Sequence, residues 1–353
     1  MVGQARHGAH LPALDGWRGL SILLVLAAHL LPLGPKAWKL NYSAGILGMA
    51  LFFTLSGFLI TSVLLRDQHV LRFLIRRCCR IVPLAWLYFV VALSLSGASA
   101  LAWLAHFLFY ANFPPRELVL LTLHLWSLCL EMQFYAGVAL LVAVLRLRGL
   151  WLLPLLCLLF SALRAWYGIY ASDISYYRVD EILAGCTLAL VVHGGWGGTL
   201  RARLARLPQW PLLALLALSC LPQGGWLNYV RPYFAAILVG ATILAPHTSL
   251  ARGLDNRLLL YLALVSYALY VIHPMLAASW LGDGGLVEKY AKRPLLLLVL
   301  FSLAHLSTNY FERWFVALGR LLAGRCGQRT APFAGAFMAL PVPQQRRGDD
   351  DGA

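Results

Sequence analysis

Arg18 and His29 stand eleven residues apart within "LDGWRGLSILLVLAAHLLPLG", 14–34, a stretch otherwise apolar enough to lie in a bilayer. Eleven residues make about three helical turns, so both side chains leave one face of a helix, roughly 16 Å apart along its axis. An imidazole in such surroundings can serve as a general base, and a guanidinium there is a fixed anion binder. The stretch "HLWSLCLEMQFY", 124–135, sets Ser127, Glu131 and Tyr135 at i, i+4 and i+8 on a second face. Glu131 there either pairs with an arginine such as Arg164 or Arg178 as a strut, or lines a site and polarises an incoming group. A third face, in "VSYALYVIHPM", 265–275, aligns Ser266, Tyr270 and His273. Finally, "FLIRRCCRIVPLAWLYF", 73–89, crowds Arg76, Arg77 and Arg80 before Pro83. Guanidinium forks hold phosphates bidentately, so a phosphate-bearing donor suits this cluster, with anionic lipid headgroups as the alternative.

The elements that must position these residues are membrane helices. The chain of 353 residues is 61% hydrophobic and 12% charged, against soluble norms of about half and a quarter. Apolar runs long enough to cross a hydrocarbon core of about 30 Å recur along it. The expected fold class is therefore an all-α polytopic membrane protein with about ten transmembrane helices. The expected spans are 17–34, 44–65, 81–98, 126–145, 149–166, 179–195, 208–222, 231–247, 258–279 and 294–317. Asp15 reads as an N-cap that starts the first helix at Gly16, placing Arg18 in its first turn and His29 near or past the mid-plane.

The net charge of +15 could suggest a nucleic-acid partner, but the arginines gather in short loops between apolar runs, so no nucleic acid is expected. Their alternation predicts cytoplasmic N- and C-termini, with all four lysines on the opposite side. "LAWLAHFLFYANF", 101–113, is apolar but short, and reads as an interfacial or re-entrant piece on the outer side. The domain reading is a cytoplasmic N-terminus over 1–13, a transmembrane domain over 14–320 and a disordered cytoplasmic tail over 321–353. No cleavable leader is read at the N-terminus. The seven cysteines form no CxxC pair and no metal spacing, so they are packing residues and no metal is expected. Ser56 and Gly57 in "FFTLSGFLITSVLL" read as helix packing, and Arg178, Asp180 and Glu181 as ion-pair partners and caps. "STNYFERWF", 307–315, adds Asn309, Glu312 and Arg313, so several spans each bring a polar stripe to a shared interior cavity.

In order along the chain, "LDGWRGLSILLVLAAH", "FFTLSGFLIT", "RRCCRIVP", "HLWSLCLEMQFY", "YYRVDEILAG", "SYALYVIHP" and "NYFERWF" resemble the acyltransferase 3 family of integral-membrane O-acyltransferases. The resemblance covers roughly residues 11–315. It implies a ten-helix domain that takes an acyl group from cytoplasmic acyl-CoA, most simply acetyl-CoA, and delivers it to a hydroxyl of a surface or secreted glycan or glycoside across the plasma (inner) membrane. It further implies that Arg18 and His29 are the essential first-span pair and that Arg77 and Arg80 are the Arg-x-x-Arg of the cytoplasmic loop. Acyl-CoA would be a co-substrate, with no cofactor bound permanently.

On this footing His29, Arg18 and Glu131 are the catalytic candidates. Arg76, Arg77 and Arg80 are assigned to the CoA phosphates, and Trp126, Ser127, Tyr270 and His273 to the acceptor. A pantetheine arm reaching from the level of Arg18 to that of His29 would explain their separation. Two rivals stand beside this reading. A transporter or flippase would use the polar stripes as a path, and a membrane scaffold would leave them without a purpose. A donor such as succinyl-CoA is a variant of the transferase reading.

Overall fold

Lipid offers no partner for a backbone amide, so an apolar chain can satisfy its peptide groups there only within helices or closed barrels. The computed structural model describes residues 11–193 and 198–326, which are 82% helical with no strand among them. The helices are α1 Pro12–Leu30, α2 Leu40–Arg66, α3 Val70–Leu95, α4 Ala100–Phe107, α5 Trp126–Leu145, α6 Leu153–Trp166, α7 Asp180–His193 and α8 Gly198–Ala205. They continue with α9 Gln209–Leu218, α10 Leu227–Leu244, α11 Ser249–Leu254, α12 Arg257–Ala277, α13 Leu286–Ala291, α14 Arg293–Leu306 and α15 Arg313–Arg325. A π-helical turn, Ser307–Glu312, joins the last two.

Among the described residues, seven helical stretches are long and apolar enough to cross a membrane, and an eighth if α7 and α8 form one broken span. Each of the ten expected spans meets a helix, but α6 and α7 have 14 residues each and α9 has 10. At 1.5 Å per residue, ten residues reach only about 15 Å, so a count of ten requires these short helices to cross with help from neighbouring turns. One of the seven stretches, Leu120–Trp166, is 47 residues long and contains two expected spans. Arg146, at φ 56°, ends α5 within it. Segment 101–113 forms only the eight-residue α4 and a following loop, too short to cross.

Two boundaries differ from the sequence reading. α1 begins at Pro12, with Leu11 as N-cap, because proline at the first helical position lacks only an amide that would be unpaired there anyway. Asp15 therefore sits in the first turn and not at the cap, Arg18 falls in the second turn and not the first, and His29 lies in the last turn. Likewise α3 runs unbroken from Val70 through Pro83, so the arginine cluster is part of the helix rather than a loop before it.

The bundle closes through small residues. A Cβ on Gly57 of α2 would lie 1.9 Å from the Ile182 carbonyl oxygen of α7, and one on Gly185 of α7 would lie 2.0 Å from the Thr54 carbonyl oxygen of α2. The two backbones are thus in direct contact. α1 packs against both α2 and α12. Its rotation is fixed by Trp17, which donates from Nε1 to Thr242 Oγ1 at 2.8 Å, and by Ser21, which donates to the Gly48 carbonyl at 2.6 Å. Leucines such as Leu140, Leu155 and Leu298 remain exposed, which suits contact with lipid chains.

Candidate functional site

The Arg18 face of α1 looks into a cavity between α1, α2, α3, α5 and α12. Its wall holds Arg18, Arg77, Arg80, Glu131, Ser127, Tyr135 and Tyr270, and its volume is only about 70 Å³. Glu131 Oε1 accepts from Ser56 Oγ at 2.8 Å and from Tyr135 Oη at 2.5 Å. The carboxylate is therefore fixed by α2 and by its own helix, with no arginine strut. Arg164 and Arg178, the partners considered for it, are engaged elsewhere. Ser56, expected to serve packing alone, is the residue that orients Glu131. None of the ion pairs among the described residues involves Arg18, Arg77 or Arg80. Arg77 lies instead over the rings of Tyr135 at 5.6 Å and Phe73 at 5.9 Å.

A second cavity of about 540 Å³, here called the vestibule, opens around the far end of α1. His29, Asn41, Tyr42, His124, Trp126, Asp173, Arg178 and Tyr270 line it. His29 Nδ1 lies 2.9 Å from the Val25 carbonyl oxygen. A carbonyl can only accept, so Nδ1 carries the proton, and in the neutral ring the lone pair is on Nε2. Asn41 holds this turn in place: its Nδ2 donates to the carbonyls of Ala28 at 2.8 Å and Leu31 at 2.6 Å, satisfying oxygens that the helix end leaves free.

His273 stands beside His29, with ring centroids 5.0 Å apart, and His124 lies 5.3 Å beyond His273. His273 Nδ1 donates to the Tyr270 carbonyl at 2.8 Å, while its Nε2 and both nitrogens of His124 are buried with no hydrogen-bond partner. Tyr270 Oη bonds Ser127 Oγ at 2.6 Å and donates to the His124 carbonyl. Three histidines from three elements thus form one cluster, of which the sequence reading named two. His124 was visible in the motif "HLWSLCLEMQFY", but its place one turn before Ser127 gave no sign that it would face another helix.

A third hollow, of about 220 Å³, lies at the opposite end and is lined by Asp67, Arg76, Arg77, Arg80 and Arg320. Arg77 and Arg80 belong to both this hollow and the central cavity, whereas Val25, Met49 and Tyr270 belong to both the central cavity and the vestibule. The three spaces therefore adjoin in series through shared walls, an arrangement here called the path, with the smallest space in its middle. Arg76 faces only the outer hollow, and the stripe of Asn309, Glu312 and Arg313 lines none of the three. Glu312 accepts from Ser307 and Thr308 within its own π-helical turn.

Beside the path lies a buried ion network. Arg164 Nη2 pairs with Asp180 at 2.9 Å, while Glu181 receives Arg231 Nε at 2.8 Å and Arg178 Nε at 3.0 Å. These pairs tie α6, α7 and α10 together, as the sequence reading expected of Arg178, Asp180 and Glu181. No group of three or more histidine, cysteine or acidic side chains among the described residues has metal-binding geometry.

The fold and site define a class: a polytopic helical membrane protein with a polar path threaded between a cationic end and a histidine-bearing end. A family model described as "Acyltransferase domain" matches residues 11–306, and the chain belongs to this acyltransferase 3 family. Among curated proteins it is 30% identical, over 52% of its length and 34% of the relative's, to the peptidoglycan O-acetyltransferase OatA of Listeria monocytogenes. It is 29% identical, over 54% of its length and 35% of the relative's, to YrhL of Bacillus subtilis, provisionally named a peptidoglycan O-acetyltransferase. A provisionally named O-acetyltransferase of Staphylococcus aureus is 24% identical over 75% of this chain and 50% of its own. The chain thus spans between a third and a half of the length of these relatives. No solved structure matches it.

Proposed function

We propose that this protein is a membrane O-acyltransferase that moves an acyl group, most simply acetyl, from acyl-CoA to a hydroxyl of a glycan or glycoside. The observation that carries the proposal is the series of adjoining spaces: Arg77 and Arg80 are shared by the outer hollow and the central cavity, and Val25, Met49 and Tyr270 by that cavity and the vestibule. The names of the relatives, which are O-acetyltransferases and in two cases peptidoglycan O-acetyltransferases, support the same reaction class.

In this reading the arginine-rich end faces the cytoplasm, in keeping with the positive-inside bias. Arg76, Arg77, Arg80 and Arg320 meet the CoA phosphates, and the pantetheine arm passes Arg18 and Glu131 toward the waist at Tyr270. The acceptor enters the vestibule and rests on Trp126, whose ring suits a sugar face. His29 Nε2 takes the proton from the acceptor hydroxyl as its oxygen attacks the thioester carbon. The tetrahedral intermediate collapses with cleavage of the C–S bond. The sulfur recovers the proton from His29, giving an ester and free CoA. Ser127, whose hydroxyl can turn from Tyr270 Oη, is placed at the waist to donate to the developing oxyanion; Tyr270 orients it, and His273 supports the His29 ring.

The transporter reading differs in what must pass the central cavity: a whole sugar, and not only the narrow pantetheine chain. The test is acceptor-dependent CoA release from labelled acetyl-CoA by membranes carrying the wild-type chain or His29→Ala at matched expression. A general base contributes about 10²–10⁴-fold, and a loss of that size is the expected result. Equal release from both would remove His29 from the chemistry. Movement of a sugar without CoA release would replace the transferase with a transporter.

A further inference from the structure

Arg178 serves the buried network with only part of its guanidinium. Its side chain is 3% exposed, and Nε is spent on Glu181. Nη2 is buried with no partner, and no hydrogen bond among the described residues uses either terminal nitrogen. The guanidinium lies 5.4 Å from the centre of the Trp126 ring, and both residues line the vestibule that holds His29. The charge count around it is also incomplete: Arg164, Arg178 and Arg231 face only Asp180 and Glu181, leaving one positive charge in excess. The other carboxylate on the vestibule wall, Asp173, is held by Arg116 at 2.5 Å and cannot supply the balance.

A buried guanidinium normally finds acceptors for all its donors, since each unmet one costs desolvation without return. Here the unmet pair is the terminal fork, whose two parallel N–H groups match the two oxygens of a carboxylate. The Trp126 ring, over which the guanidinium lies, offers an apolar platform beside the fork. Resting on the reading of the vestibule as the acceptor site, we infer that Arg178 with Trp126 recognises a carboxylate carried by the acceptor sugar, so that acidic sugars are preferred over neutral ones. Glu181 keeps its bond to Arg231 when Arg178 changes, so the specificity role can be separated from the structural one.

The test uses the purified, detergent-solubilised chain with no acyl donor present, and compares binding of methyl glucuronoside and methyl glucoside by saturation-transfer NMR. Wild-type protein is expected to bind the glucuronoside about tenfold more tightly, the effect of one charge-assisted fork. Arg178→Gln, confirmed as monodisperse, should erase this difference. Arg178→Lys, which keeps the charge but loses the fork and is the safer variant for folding, should leave part of it. Equal binding of the two sugars by the wild type, binding of neither, or a preference that survives in Arg178→Gln would each overturn the inference. Because donor chemistry is absent from this assay, failure to release CoA in the previous test sinks the transferase reading without touching this result.

Discussion

Two groups of three arginines lie within the apolar bundle and do opposite work. Arg164, Arg178 and Arg231 are buried against Asp180 and Glu181, and lock three helices together. Arg18, Arg77 and Arg80 surround a cavity whose carboxylate, Glu131, is already held by Ser56 and Tyr135. The first group is paired with carboxylates inside the protein, leaving only Nε of Arg164 and the terminal nitrogens of Arg178 without a described partner. The second has no described ion pair, and like charges kept together without partners mark a place where an anion is to come. Residue type is the same in both, so the presence or absence of a partner separates a strut from a binding site.

The contrast can be broken most forcefully at Arg231. Arg231→Met leaves Glu181 with a single partner, and losing one side of a buried ion pair typically costs about 3–5 kcal/mol. The thermal midpoint in detergent should fall sharply, and an unchanged midpoint would mean the network is not a strut. An effect of similar size, on binding instead of stability, is expected from the double change Arg77→Met with Arg80→Met. It should leave the midpoint near the wild-type value, since no described ion pair is lost, but weaken acetyl-CoA binding by about 1.5–3 kcal/mol for each charged contact removed. Isothermal titration with a non-hydrolysable acetyl-CoA analogue reads this directly, and full affinity in the double variant would return the cluster to lipid headgroups.

A further consequence sharpens the same distinction. Saturating donor at about 100 times its Kd should raise wild-type stability by about 2.7 kcal/mol and do so far less in the double variant. Ser56→Ala should give the smallest effect. It removes one hydrogen bond from Glu131, costing about 1 kcal/mol in stability, and the loosened carboxylate should reduce kcat without altering the KM for the acceptor. A change confined to the acceptor KM would move Ser56 and Glu131 out of the donor side.

Much of the candidate site was legible because its signals are local. The Arg18 and His29 spacing, the Ser127, Glu131 and Tyr135 face and the Ser266, Tyr270 and His273 face each lie within one helix, where a 3.6-residue period fixes direction. All of them except His273 line the path, and His273 abuts His29 within it. Helix boundaries were less legible. Asp15 and Pro12 both signal a helix start, and the proline prevailed because its fixed backbone angle suits the first turn.

The sequence by itself determined that this is a helical membrane protein, that polar stripes face its interior, and to which family it belongs, because hydropathy, helical period and ordered motifs are all properties of neighbouring residues. The tertiary structure decided which polar groups meet across helices. It gave Glu131 to Ser56 instead of to Arg164 or Arg178, brought His124 beside His273, and left the terminal nitrogens of Arg178, a residue of the vestibule wall, without a described partner. Such pairings depend on the relative rotation of helices far apart in the chain, set by contacts such as Gly57 against Ile182 and Trp17 against Thr242. No single helix encodes that rotation.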